Sequence, residues 1–174
     1  MKCTELLIQE HKIILRAVDV IDQMAVRISD GKTADAKDVE TILRFLRSFA
    51  DDHHQTKEES ALFPELKRTS AANNGPLRQM LFEHDQERSL VEGLEDALHT
   101  KKGAEFVHFA NRLSSLIRAH IDKEDYLLFK IAERCLTDEQ DERVTAELNQ
   151  FQVNPRFLDD LRRLEWMYLG KMVA

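Results

Sequence analysis

The chain has 174 residues, enough for one domain with a substantial core. Hydrophobic residues make up 43% and charged residues 33%, and the formal net charge is −7, which argues against nucleic acid or an anionic membrane as the main partner. Five Gly and three Pro are few, so long uninterrupted elements are expected. The apolar run Leu6–Leu7–Ile8 is cut short by Gln9, Glu10 and His11, so no signal peptide is read. No stretch approaches the roughly 18 apolar residues of a membrane span. The expected location is the cytoplasm, where Cys3 and Cys135, which form no CxxC motif, stay free thiols.

A first helix is predicted from about Thr4 to Ser29. Leu7, His11, Ile14, Val18, Ile21, Ala25 and Ile28 step by four and three, and His11 is the only polar member. Ser29 to Thr33 reads as a stop and turn. A second helix runs from about Asp35 to Phe63, with Val39, Leu43, Leu46, Ala50, His54, Glu58 and Ala61 or Leu62 inside and Pro64 kinking or ending it. Ser70–Gly75 is the clearest loop, and Pro76 suits the start of a third helix, to His99, with the stripe Leu77, Met80, His84, Glu87, Val91, Leu94 and Leu98. A fourth helix from about Ala104 to Arg134 carries Phe106, Phe109, Leu113, Leu116, His120, Glu124, Leu127 and Ile131.

These elements predict an all-α protein: an antiparallel up-down-up-down four-helix bundle over residues 1–136. Additional C-terminal helices follow over 137–174. One opens on the capping-box pair Thr137 and Gln140 and runs to about Phe151, and one follows Asn154–Pro155. This extension is expected to pack on the bundle or to form a homodimer contact, with Trp166 anchoring it.

The two halves repeat. His54-x-x-Lys57-Glu58-Glu59 on the second helix returns as His120-x-x-Lys123-Glu124-Asp125 on the fourth, and Glu10–His11 on the first returns as Glu83–His84 on the third. A His and a Glu four apart share one helix face. A single pair of this kind is usually a solvated ion pair, and a lone His on an apolar stripe is usually a hydrogen-bonded core residue. Here all four helices place a His inward and two add a Glu one turn on. Six such groups buried together need compensation, and a metal pair is the simplest. The candidate ligands are His11, His54, Glu58, His84, His120 and Glu124.

Nitrogen and carboxylate oxygen without sulfur suit iron, manganese or zinc. One ion needs only three or four of the six groups. Two ions use all of them, with two His each and both carboxylates bridging, as in bundle-core di-iron proteins. Two carboxylates leave a pair of ferrous ions under-neutralised, so an oxo or hydroxo bridge fits. Each ion then keeps an open position, which favours dioxygen, nitric oxide or peroxide.

These residues resemble the hemerythrin-like (HHE cation-binding) family. His11, the His54–Glu58 pair, His84 within Glu–His–Asp, the His120–Glu124 pair and the stretch Glu58–Pro64 match its motifs over about residues 5–135. The resemblance implies a non-haem di-iron centre in a four-helix bundle. Oxygen-carrying hemerythrins place two His one turn apart on the third helix, where this chain has Met80 and Arg88 beside His84. The set here is more similar to di-iron proteins linked to repair of iron centres and nitric oxide stress.

The expected function is binding of dioxygen, nitric oxide or peroxide for sensing or a redox or stress response, with a redox partner not specified by the sequence. Iron storage, sensing or donation is the alternative. No general acid, base or nucleophile stands out beyond the ligands, so turnover is left open. Glu87 is a candidate outer acceptor or third carboxylate, while His53, about 100° from His54 on the helix, falls outside the ligand set. Lys57, Lys123, Glu59 and Asp125 read as solvated faces, His99 and His108 as surface residues, and Tyr126 as packing elsewhere.

Overall fold

Helix ends follow the local chemistry of the chain. Asp35 caps one helix by accepting from the backbone N–H groups of Lys37 and Asp38 at 2.8 and 3.2 Å. Thr137 and Gln140 close a reciprocal capping box on another. A computed structural model of the chain describes residues 2–69 and 75–170. Within them the protein is all-helical: α1 Cys3–Ser29, α2 over residues 36–67, α3 Pro76–His99, α4 over residues 103–135, α5 Asp138–Leu148 and α6 Arg156–Leu169. Of the expected loop, Ser70–Asn74 lies outside the described residues.

Two helices are not uniform. In α2 the stretches Leu46–Gln55 and Glu58–Leu62 are π-type turns, and in α4 the stretch Glu124–Leu128 is another. The carbonyl of Glu58 accepts from Phe63, and that of Glu124 from Phe129, five residues on in each case. This wider turn explains two departures from the sequence reading. Pro64 neither ends nor interrupts α2, because it sits where a new α segment begins and its missing N–H is tolerated. Leu127, expected inside, is 52% exposed, and Leu128 is buried in its place. One extra residue per turn carries the inner face forward by one.

Among the described residues the buried apolar side chains form two clusters. One is built around Val18, Ile21, Leu43, Phe49, Leu94 and Leu113. The other is built around Leu7, Leu62, Phe63, Met80, Leu128 and Phe129. Each inward His sits at the junction of the two along its helix. The C-terminal helices enter the same core. Val144 and Leu148 of α5 belong to the second cluster, and Leu161 and Leu164 of α6 to the first. Arg16 of α1 donates twice to the buried Glu165 of α6, at 2.6 and 2.7 Å. Trp166, expected to anchor the extension, is 60% exposed, whereas the preceding Leu164 and Glu165 are buried and hold α6.

Candidate metal centre

The six residues singled out by the repeat meet at one level. His11 comes from α1, His54 and Glu58 from α2, His84 from α3, and His120 and Glu124 from α4, and all six are buried. The imidazoles turn their Nε2 atoms toward the two carboxylates. Glu58 has His54 Nε2 at 3.6 Å and His84 Nε2 at 3.4 Å. Glu124 has His11 Nε2 at 3.2 Å and His120 Nε2 at 3.3 Å.

Among the described residues, side-chain atoms that lie within 4.8 Å of one another form two groups that could each hold a metal ion: His11, His54, Glu58 and Glu124, and Glu58, His84, His120 and Glu124. Both carboxylates belong to both groups. His11 and His54 pack edge to face at 4.6 Å between ring centres, and His84 and His120 at 4.8 Å. The Nε2 atoms of His84 and His120 are only 3.2 Å apart. Two ring nitrogens at that distance need a shared proton or a cation between them.

The donor set fits cations. Neither oxygen of Glu58 or Glu124 has a hydrogen-bond partner among the described residues, nor has His11 Nε2. Buried carboxylate oxygens left bare this way are strongly disfavoured unless something positive meets them. Nitrogen and oxygen donors with no sulfur suit borderline and hard ions.

Around this set the structure shows a layer that sequence reasoning missed. Every ligand-type His has its Nδ1 on a carboxylate. His11 pairs with Asp125 at 2.7 Å, His54 with Glu10 at 2.9 Å, His84 with Glu59 at 2.7 Å and His120 with Glu83 at 2.9 Å. With Nδ1–H donated outward, Nε2 is left free to bind inward. Each of these acids is the sequence neighbour of a different inward residue, so each helix braces the His of another. Lys57 and Lys123 in turn donate to Glu10 and Glu83.

Glu59 and Asp125 therefore are not solvated faces; they orient His84 and His11. Lys57 is 6% exposed and lies between Glu10 and His53. The signal was present in the repeat, because all of these positions recur in both halves. His53 belongs to neither ligand group; its Nε2 meets Glu10 at 3.1 Å and Lys57 Nζ at 2.9 Å. His99 and His108 are exposed, and Tyr126 is 79% exposed and so packs against little.

The charges follow from the pairing. Burial alone would lower His11, but Asp125 and Glu124 raise it to about 10. Burial likewise opposes His84, which Glu58 and Glu59 raise to about 10, and His120, which Glu124 and Glu87 raise to about 9. Burial opposes ionisation of Glu124 as well, yet His120 and His11 hold it well below the usual range. Glu87 is different: burial pushes it up to about 7. Its Oε2 accepts from Gln55 Nε2 at 2.7 Å.

Removing an outer carboxylate lets its imidazole swing. Asp125→Ala is expected to weaken metal affinity by roughly 10- to 100-fold. Competition with a coloured chelator measures it, and unchanged affinity would deny Asp125 an orienting role.

No curated protein matches the chain. A family model described as the hemerythrin HHE cation binding domain matches residues 3–132, which span both halves of the repeat and all six inward side chains. With the buried His and Glu groups already pointing to metal binding, that match settles the family: the chain belongs to the hemerythrin HHE cation-binding family.

Proposed function

We propose that His11, His54, Glu58, His84, His120 and Glu124 hold two iron ions. His11 and His54 serve one ion, His84 and His120 the other, and Glu58 and Glu124 bridge both, with an oxo or hydroxo group completing the pair. The observation that carries this reading is that Glu58 and Glu124, whose buried oxygens have no hydrogen-bond partner among the described residues, are each met by two imidazole Nε2 atoms. An antiparallel up-down-up-down order of α1 to α4 is the arrangement in which the duplicated hairpin brings its four His to one depth.

When bound, such a pair supplies one-electron steps and an open position for dioxygen, nitric oxide or peroxide. The chain's own residues do the rest. The four outer carboxylates fix the imidazole orientation, and Phe129 and Phe63 stack on His11 and His84 at 5.5 and 5.9 Å and keep water off them. We assign the protein to small-molecule sensing or a redox response in the cytoplasm, a reducing compartment that its free Cys3 and Cys135 fit. Among the described residues no helix is long and apolar enough to cross a membrane.

The test is anaerobic loading with ferrous iron followed by mixing with air, nitric oxide or peroxide. New charge-transfer absorption, or a reversible nitric oxide adduct, is expected. Rapid loss of iron to a chelator without any adduct would favour storage or donation of iron instead.

A further inference from the structure

The internal repeat is broken at two positions beside the candidate metal centre. Three residues after His11 stands Ile14, but three residues after His84 stands Glu87. One residue after His120 stands Ile121, but one residue after His54 stands Gln55. These four side chains line one narrow void of about 10 Å³ together with His11, His54 and His120. That is room for about one water-sized molecule.

Gln55 and Glu87 are 4% and 6% exposed. Gln55 spends its amide nitrogen on Glu87 Oε2 at 2.7 Å, which leaves its Oε1 as an acceptor. Neither Gln55 Oε1 nor Glu87 Oε1 has a hydrogen-bond partner among the described residues. A second void, of about 20 Å³, shares Gln55 and Glu87 with the first and is lined toward the surface by Arg47 and Arg88. The pair therefore lines both the void beside the metal centre and the one that carries the partly exposed Arg47 and Arg88.

We propose that Gln55 and Glu87 form a hydrogen-bonding subsite that selects a protic ligand, the class of hydrogen peroxide, over aprotic diatomics at the metal pair. Gln55 Oε1 is an acceptor in every state of the site and Glu87 Oε1 is one while its carboxyl is ionised, so each is then disfavoured until a ligand brings a hydrogen to it. Water, hydroxide and hydrogen peroxide bring one; dioxygen and nitric oxide do not. The apolar Ile14 and Ile121 that also line the void give no such preference, so the selection lies with the one departing residue of each half, Gln55 in the first and Glu87 in the second. This inference rests on the two-iron reading above.

The experiment mixes anaerobic ferrous-loaded protein with hydrogen peroxide or nitric oxide in stopped flow. In the peroxide reaction the O–O bond breaks, each of two ferrous ions gives one electron, and two protons from solvent complete two waters. Glu87→Leu is expected to lower the ratio of peroxide to nitric oxide rate constants by about tenfold or more. Glu87→Gln, which keeps an oxygen acceptor, is expected to lower it less, and Gln55→Leu gives a second reading if Glu87→Leu does not fold. The dissociation constant for nitric oxide, a binding readout without turnover, corrects for any damage to the metal centre. A wild-type protein that holds no iron overturns the two-iron reading and the subsite together. A wild-type protein that reacts with both probes, with the ratio unmoved in all three variants, overturns the subsite alone.

Discussion

Replacing Glu124 by Gln is expected to abolish tight binding at both cation positions, whereas His11→Ala is expected to spare one. Glu124 belongs to both of the ligand groups, while His11 belongs to one. The amide keeps the shape of the side chain but removes its negative charge. The amide keeps one oxygen able to meet a cation but not the second, so the two ions can no longer share the side chain and both lose part of their neutralisation in a site that is 0% exposed at Glu124. The loss should exceed the roughly 10- to 100-fold that removal of an outer partner costs. Metal content after gel filtration reads the outcome, with circular dichroism to show that the helices persist. If Glu124→Gln and His11→Ala lost the same single ion, the shared role of the carboxylate would be wrong. Glu58→Gln is the companion variant, because Glu58 faces His54 and His84 as Glu124 faces His11 and His120.

Metal-free and metal-loaded protein are expected to respond to pH in opposite directions. Without metal, protons compensate the buried carboxylates. His11 and His84 are raised to about 10 and His120 to about 9, against an ordinary 6.5. A group with a raised folded pKa contributes its full stability below its unfolded pKa. That contribution fades as pH climbs from 6.5 toward 9 and 10, by about 1.4 kcal/mol per pH unit for each such group. Metal ions compete with protons for the same Nε2 atoms, so loading releases protons and tightens as pH rises. The stabilisation conferred by metal should therefore widen between about pH 6.5 and 9. Urea unfolding of both forms across that range checks it. Metal-free stability that held level or rose over the same interval would show that the imidazoles are not charged in the folded state.

The inward set was legible because one signal repeated. His11, His54, Glu58, His84, His120 and Glu124 interrupt apolar stripes at recurring offsets, and stripe position is what a helix converts into depth. Helix ends were equally legible where a cap or a proline wrote them, as at Asp35, Pro76 and Thr137. The π-type turns were not. A stripe counted at 3.6 residues per turn cannot register a turn that holds one more, so the count puts Leu127 inside where the structure buries Leu128. The role of the outer acids is hidden from the sequence for a related reason. Glu59 and Asp125 follow inward residues by one position and, on an isolated helix, face sideways. Only the neighbouring helix, unknown from the stripe alone, puts His84 and His11 there to meet them. Lys57 is hidden in the same way, polar by type yet buried against Glu10.

The most direct measurement is the number of ferrous ions that one metal-free chain retains after anaerobic titration and gel filtration. Two per chain are expected, one for each group of His and Glu donors, with both lost when Glu58 or Glu124 is neutralised. A chain that retained none, or a single ion indifferent to those carboxylates, would contradict the paired centre.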